Sequence, residues 1–155
     1  MGTQAQGKVD AQWDCGKPSI AHSINVGDQP SHAFVVNQTK CTATKDEMGG
    51  AKEQAGTGTE FHDNMTGKSS WHGIFVETLA SGDRVYYDYK GTCTTNGDNL
   101  VSGKSTWTIA GGTGKFKGAT GIGSCKGKGN SDRTSTWNCT GTYHMAGAAP
   151  AKKNM

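Results

Sequence analysis

Long apolar runs are missing from this chain. Only 32% of its 155 residues are hydrophobic, and no stretch approaches the roughly 20 consecutive apolar residues of a membrane-spanning helix. Met1 to Asp10 has no apolar centre of the kind that marks a secretory signal, and Gln6 stands where a myristoylation motif needs Ser or Thr. Helical periodicity is nearly absent, so a bundle or a doubly wound fold is not expected. Charge of one sign is not concentrated either. The net charge of +3 and pI of 8.6 arise from scattered lysines with acids between them and from a short Lys152-Lys153 tail. A nucleic-acid binder would gather its cations on one element and interleave aromatics, so neither a nucleic acid nor a membrane is expected as a partner.

Glycine is abundant instead, at 24 residues, in a background rich in Thr and Ser. That composition suits strands with one buried and one wet face, because doubly buried parallel strands read as continuous Val/Ile/Leu runs. The length fits one domain, with a tail over 1–10, a folded body over 11–145 and a second tail over 146–155. Alternation and turn chemistry predict strands at 33–44, 56–64, 69–79, 84–94 and 101–109, then a final hairpin. Such a series of short-turned strands closes as a barrel or packs as a sandwich.

Five cysteines allow two disulfides and one free thiol. The turn-rich segment 129–135, centred on Asp132, sets Cys125 opposite Cys139 in a hairpin, near disulfide distance. Cys15 and Cys41 are then the natural second pair, and Cys93 is left free. Two disulfides in a small, loop-rich chain imply an oxidising compartment, so a secreted or periplasmic location is expected, with a signal segment already removed.

Residues 107–121 run from a strand-like Thr-Trp-Thr-Ile into Gly111-Gly112-Thr113-Gly114-Lys115-Phe116-Lys117-Gly118-Ala119-Thr120-Gly121. A phosphate-binding P-loop is excluded, since Ile109 precedes the four spacers and Phe116 follows Lys115. A dinucleotide fingerprint is excluded as well, because no amphipathic helix follows. The run resembles the GGTGxFxGAxG signature of the allene oxide cyclase and dirigent family. That resemblance implies an all-β, antiparallel, up-and-down barrel of eight strands that holds organic ligands in its lumen. It also implies cyclisation, isomerisation or coupling of bound intermediates by a few polar lumen groups, with no cofactor. The family's own pocket residues find no match here, so any activity rests on this chain's own side chains.

A two-residue Ser81-Gly82 turn would set Val76 opposite Tyr87, Ile74 opposite Tyr89 and His72 opposite Gly91. One face would then collect His72, Ile74, Val76, Val85, Tyr87, Tyr89 and Cys93, an apolar lining with a few polar handles. The other face, with Glu77, Arg84, Asp88 and Lys90, is expected in solvent. Trp71 and Phe75 would lie there too, as a contact in a homo-oligomer. The loop Asn64 to Lys68 leaves three registers open. A three-residue connection puts Glu60 opposite His72, a five-residue one puts His62 there, and a two-residue Thr66-Gly67 turn puts His62 opposite Trp71.

Glu60, His72 and Tyr87 are therefore the candidate catalytic residues, and His62, Ile74, Val76, Tyr89 and Cys93 the candidate ligand-binding ones. A carboxylate beside an imidazole makes a general acid or base near neutral pH. Two other readings stand beside this: a binding or structural module without turnover, and a metal site on His62 and His72.

Overall fold

The computed structural model describes residues 6–45, 47–97 and 99–146. Its strands are β1 (Gln6–Cys15), β2 (Ile20–Asn25), β3 (Ala33–Lys45), β4 (Glu47–Met48), β5 (Ala51–Met65), β6 (Lys68–Leu79), β7 (Arg84–Asn96), β8 (Asn99–Gly112), β9 (Thr120–Gly129) and β10 (Ser135–His144). They form one sheet in the order β2-β3-β1-β10-β9-β8-β7-β6-β5-β4. An extra pairing of β3 with β5 closes eight of them into an antiparallel up-and-down barrel. β1 starts at Gln6 and pairs with β10 from there, so residues 6–10 are barrel wall rather than tail. The expected segments 1–5 and 147–155 lie outside the described residues.

β2 is the exception to closure. It runs beside the first half of β3, beyond the point where β1 leaves off, and β3 is its sole strand neighbour among the described residues. The wall made by β2, β3, β5 and β6 therefore rises on one side of the barrel mouth.

Both disulfides join facing residues on neighbouring strands, Cys15 to Cys41 across β1 and β3 and Cys125 to Cys139 across β9 and β10. Cys93 is free and buried.

The glycine-rich run after β8 folds across the opposite end. Gly114, at φ +58°, opens a single 3-10 turn, Gly114–Phe116, that throws Phe116 inward. Phe116 is fully buried with Met48, Leu79 and Val85, a plug that shuts the base of the barrel. Lys115 Nζ donates to the Gly49 carbonyl and the Tyr143 hydroxyl accepts from Gly49 N–H at 2.8 Å, fastening the β4–β5 turn over the plug. The lysine is thus engaged in closing a barrel end.

Many remaining glycines make room for aromatic rings. A Cβ on Gly91 would stand 2.4 Å from the Trp71 ring, and one on Gly123 would stand 2.2 Å from both the Trp107 ring and the Thr140 carbonyl. Indoles lying flat over a neighbouring strand's glycine both cover the backbone and let the sheet curl.

Candidate functional site

Two turns decide which side chains enter the lumen. The β6–β7 connection is one residue longer than a two-residue turn: Thr78 faces Arg84, and Leu79 N–H donates to the Asp83 carbonyl at 2.9 Å. This single-residue shift turns all of β6 over. Trp71, Phe75 and Glu77 point into the lumen, while His72, Ile74 and Val76 point out. The expectation placed these two sets the other way round. His72 lies on the outside against Phe61, ring centroids 5.6 Å apart, and Ile74 is 45% exposed. Neither these two nor Val76 lines the cavity.

The second turn is the two-residue Thr66-Gly67 connection, with Met65 facing Lys68 and His62 facing Trp71. Because Trp71 is inside, this register brings Glu60 and His62 inside with it. Tyr87, Tyr89 and Cys93 on β7 line the same cavity, as the alternation on that strand leads one to expect. His62 and His72 lie on opposite faces and cannot share a metal ion. Among the described residues no three His, Cys, Asp or Glu side chains converge on a metal position.

The lumen encloses about 760 Å³. All four tryptophans of the chain, Trp13, Trp71, Trp107 and Trp137, border it. Its polar groups form a chain across β5, β6 and β7. The Tyr89 hydroxyl donates to Glu60 Oε2 at 2.5 Å, and Glu60 Oε1 lies 2.7 Å from His62 Nε2. His62 Nδ1 lies 3.1 Å from Ser69 Oγ, whose hydroxyl donates to Asn64 Oδ1 at 2.5 Å. Burial first, and the carboxylate of Glu60 second, hold the Tyr89 phenol protonated well above its usual range. Burial likewise pushes the Cys93 thiol up, which keeps it from serving as a thiolate nucleophile.

Deeper in the barrel the Tyr87 hydroxyl donates to Glu77 Oε1 at 2.5 Å, with Glu53 also buried at the cavity wall. Glu77 is fully buried, against its expected place in solvent. A buried carboxylate is tolerated when hydrogen-bonded, and here Tyr87 supplies a donor. Glu53, Glu77, Ser69 and the four tryptophans were not among the expected site residues. The readable signal was the spacing Trp71, Phe75, Leu79 on alternate positions of β6, whose combined apolar area outweighs one carboxylate.

No family model matches the chain, and no curated protein matches it. Among solved structures, the pterocarpan synthase dirigent protein PsPTS1 superposes with a TM-score of 0.54 at 10% identity, over 90% of this chain and 95% of that one. A second pterocarpan synthase dirigent protein, GePTS1, superposes with the same score and identity, over 90% of this chain and 92% of that one. At this identity the likeness is one of fold: the chain has the eight-stranded barrel of dirigent proteins.

Proposed function

We propose that the chain is a secreted or periplasmic barrel that takes an apolar or aromatic small molecule into its lumen. In this reading Tyr89, Glu60 and His62 act on that molecule as a cofactor-free acid/base set of the cyclase, isomerase or lyase kind. The observation that carries it is the hydrogen-bonded chain from Tyr89 to Asn64 on the wall of an aromatic cavity. Ser69 donates to Asn64, so its oxygen accepts the Nδ1–H of His62. Tyr89 donates to Glu60. One proton is then left for the contact between Glu60 Oε1 and His62 Nε2. A pair that can give or take one proton is what a cofactor-free isomerisation requires. The disulfides suit an oxidising compartment. The likeness to the allene oxide cyclase signature and the dirigent barrel agrees with lumen chemistry, and neither supplies a substrate.

Tyr87, with Glu77, would bind the deeper end of the ligand, and Cys93 would pack against it as a neutral thiol. Native mass spectrometry of protein purified from its own host tests the reading, which requires a retained small molecule. A chain carrying none, and binding none from a panel of phenolic and lipid-like compounds, would be a structural module. Retained ligand without conversion would leave a binding protein.

Self-association is the second part of the proposal. Ile20, Ile24, Phe34, Val36, Phe61 and Ile74 lie together on the outer face of the raised wall, four of them at least 45% exposed. β2 beside them has an open edge without a charged residue. An uncharged open edge next to an apolar face suits pairing with β2 of a second copy, which would extend the sheet and cover both faces.

A further inference from the structure

We infer that the lumen selects an organic cation: a protonated amine or quaternary ammonium carried on an apolar or aromatic body. This rests on the lumen-binding reading above and adds to it the charge of the ligand.

The first observation is the distribution of charge. The chain as a whole carries +3, yet the cavity wall holds Glu53, Glu60 and Glu77. Its two permanent cations, Lys68 and Arg133, are exposed residues at turns on the mouth. Below the rim the only basic group on the wall among the described residues is His62, already bonded to Glu60. The acids therefore gather inside against the overall balance of the chain. An ammonium group that displaces the proton shared by Glu60 and His62 would leave the carboxylate as its counter-ion, and low-dielectric walls make that pairing stronger than it would be at the surface.

The second observation is the aromatic lining. Trp71 meets Tyr89 and Trp137 at centroid distances of 5.9 and 5.8 Å, with interplanar angles of 64° and 89°. Trp13 meets Phe75 at 5.1 Å and 81°, and Tyr87 meets Trp107 at 5.4 Å and 89°. These rings do not cover one another in parallel stacks. Electron-rich ring faces attract an alkylammonium group, and tryptophan does so most strongly.

The third is the hydrogen-bond inventory. Four donors on the wall are already engaged: the hydroxyls of Tyr87, Tyr89 and Ser69 donate to Glu77, Glu60 and Asn64, and Trp137 Nε1 donates to Ser135 Oγ. An open acceptor faces them. Asn37, opposite Glu60 in the β3–β5 register, borders the cavity with a buried Oδ1 that has no protein partner. A ligand that brings an N–H group can satisfy this acceptor, which a carboxylate or carbonyl cannot do.

Three probes of one shape and three charges test the inference: 1-pyrenemethylamine, 1-pyrenemethanol and 1-pyrenecarboxylate. Energy transfer from the tryptophans to pyrene reports binding inside the barrel, because all four border the cavity. The amine should bind about tenfold or more tighter than the alcohol, as a desolvated cation–π contact beside a carboxylate allows, and the carboxylate weakest. Glu60→Gln should draw the amine's affinity down toward the alcohol's. If that variant does not fold, Glu53→Gln serves in its place, and the order of the three probes on the unaltered chain stands without any variant. Equal binding of amine and alcohol, or tightest binding of the carboxylate, overturns the cation inference and leaves the lumen-binding reading intact. Binding of none of the three overturns both.

Discussion

Glu60 Oε1 and His62 Nε2 lie 2.7 Å apart on the inner face of β5, with side chains 21% and 16% exposed. Their closeness follows from strand geometry, since residues two apart in a strand share a face. Their use depends on where β6 puts Trp71. Had β6 kept the opposite face inward, the two-residue Thr66-Gly67 turn would have carried both groups to the outside of the barrel.

His62→Ala should weaken ligand binding or slow conversion by about a hundredfold or more, the usual share of one positioned acid or base. His72→Ala should change neither, because His72 packs outside against Phe61. Paired titrations of the two variants against one ligand check this, and a loss confined to His72→Ala would reverse the assignment of faces.

How much of this was legible in the residues follows from the two turns. The series of strands, the hairpin pairing Cys125 with Cys139 and the inner face of β7 could all be read, because alternation and turn composition agree there, whereas the barrel, as against a sandwich, was implied only by the resemblance of the glycine run. The face of β6 could not: His72, Ile74 and Val76 on one side and Trp71, Phe75 and Leu79 on the other are both apolar. The larger area of Trp71, Phe75 and Leu79 is set against the charge of Glu77 on the same face, and the length of the Leu79 to Asp83 turn decides between the two faces, although Ser81-Gly82 suits a two-residue or a longer turn equally well. The glycine run was legible as fold but not as a plug, since nothing local says that Phe116 reaches the base of the core.

His32 supports a pH prediction. Its ring is buried with both nitrogens on carboxylates, Nδ1 2.5 Å from Asp28 and Nε2 2.7 Å from Asp63, tying the β2–β3 turn to β5. The hydrogen bond to Asp28, then that to Asp63, raises its pKa above the usual 6.5. Between the unfolded and folded values the native state binds more protons, so stability falls as pH rises. The contribution should be full below about pH 6.5 and lost as pH climbs through the raised value. Thermal melts across this range should show that slope in the parent chain and a flatter one in His32→Gln.

Glycine 123 tests the packing of the aromatic wall. Gly123→Ala would drive a methyl group to within 2.2 Å of the Trp107 ring and the Thr140 carbonyl, at a cost of about 1–3 kcal/mol from overpacking. Gly16→Ala, whose nearest neighbour would be the Lys40 carbonyl at 3.7 Å, should be tolerated. Denaturant unfolding of both variants gives the comparison, and equal stabilities would contradict the close approach.

The outer face makes its own prediction. Phe34→Lys, on the apolar wall of β2, β3, β5 and β6, should turn a self-associating chain into a monomer without lowering its melting temperature by more than a few degrees. Sedimentation velocity measures this, and a parent chain that stays monomeric at high concentration would contradict the pairing through β2.

The most direct measurement is the two-dimensional NMR spectrum of the four indole N–H groups during titration with a bound small molecule such as 1-pyrenemethanol. All four tryptophans border one cavity, so their signals should shift together along a single saturable curve, while the ring of His72 on the outer face stays unmoved. Indole signals that stay fixed while His72 shifts would place the ligand outside the barrel and contradict the account.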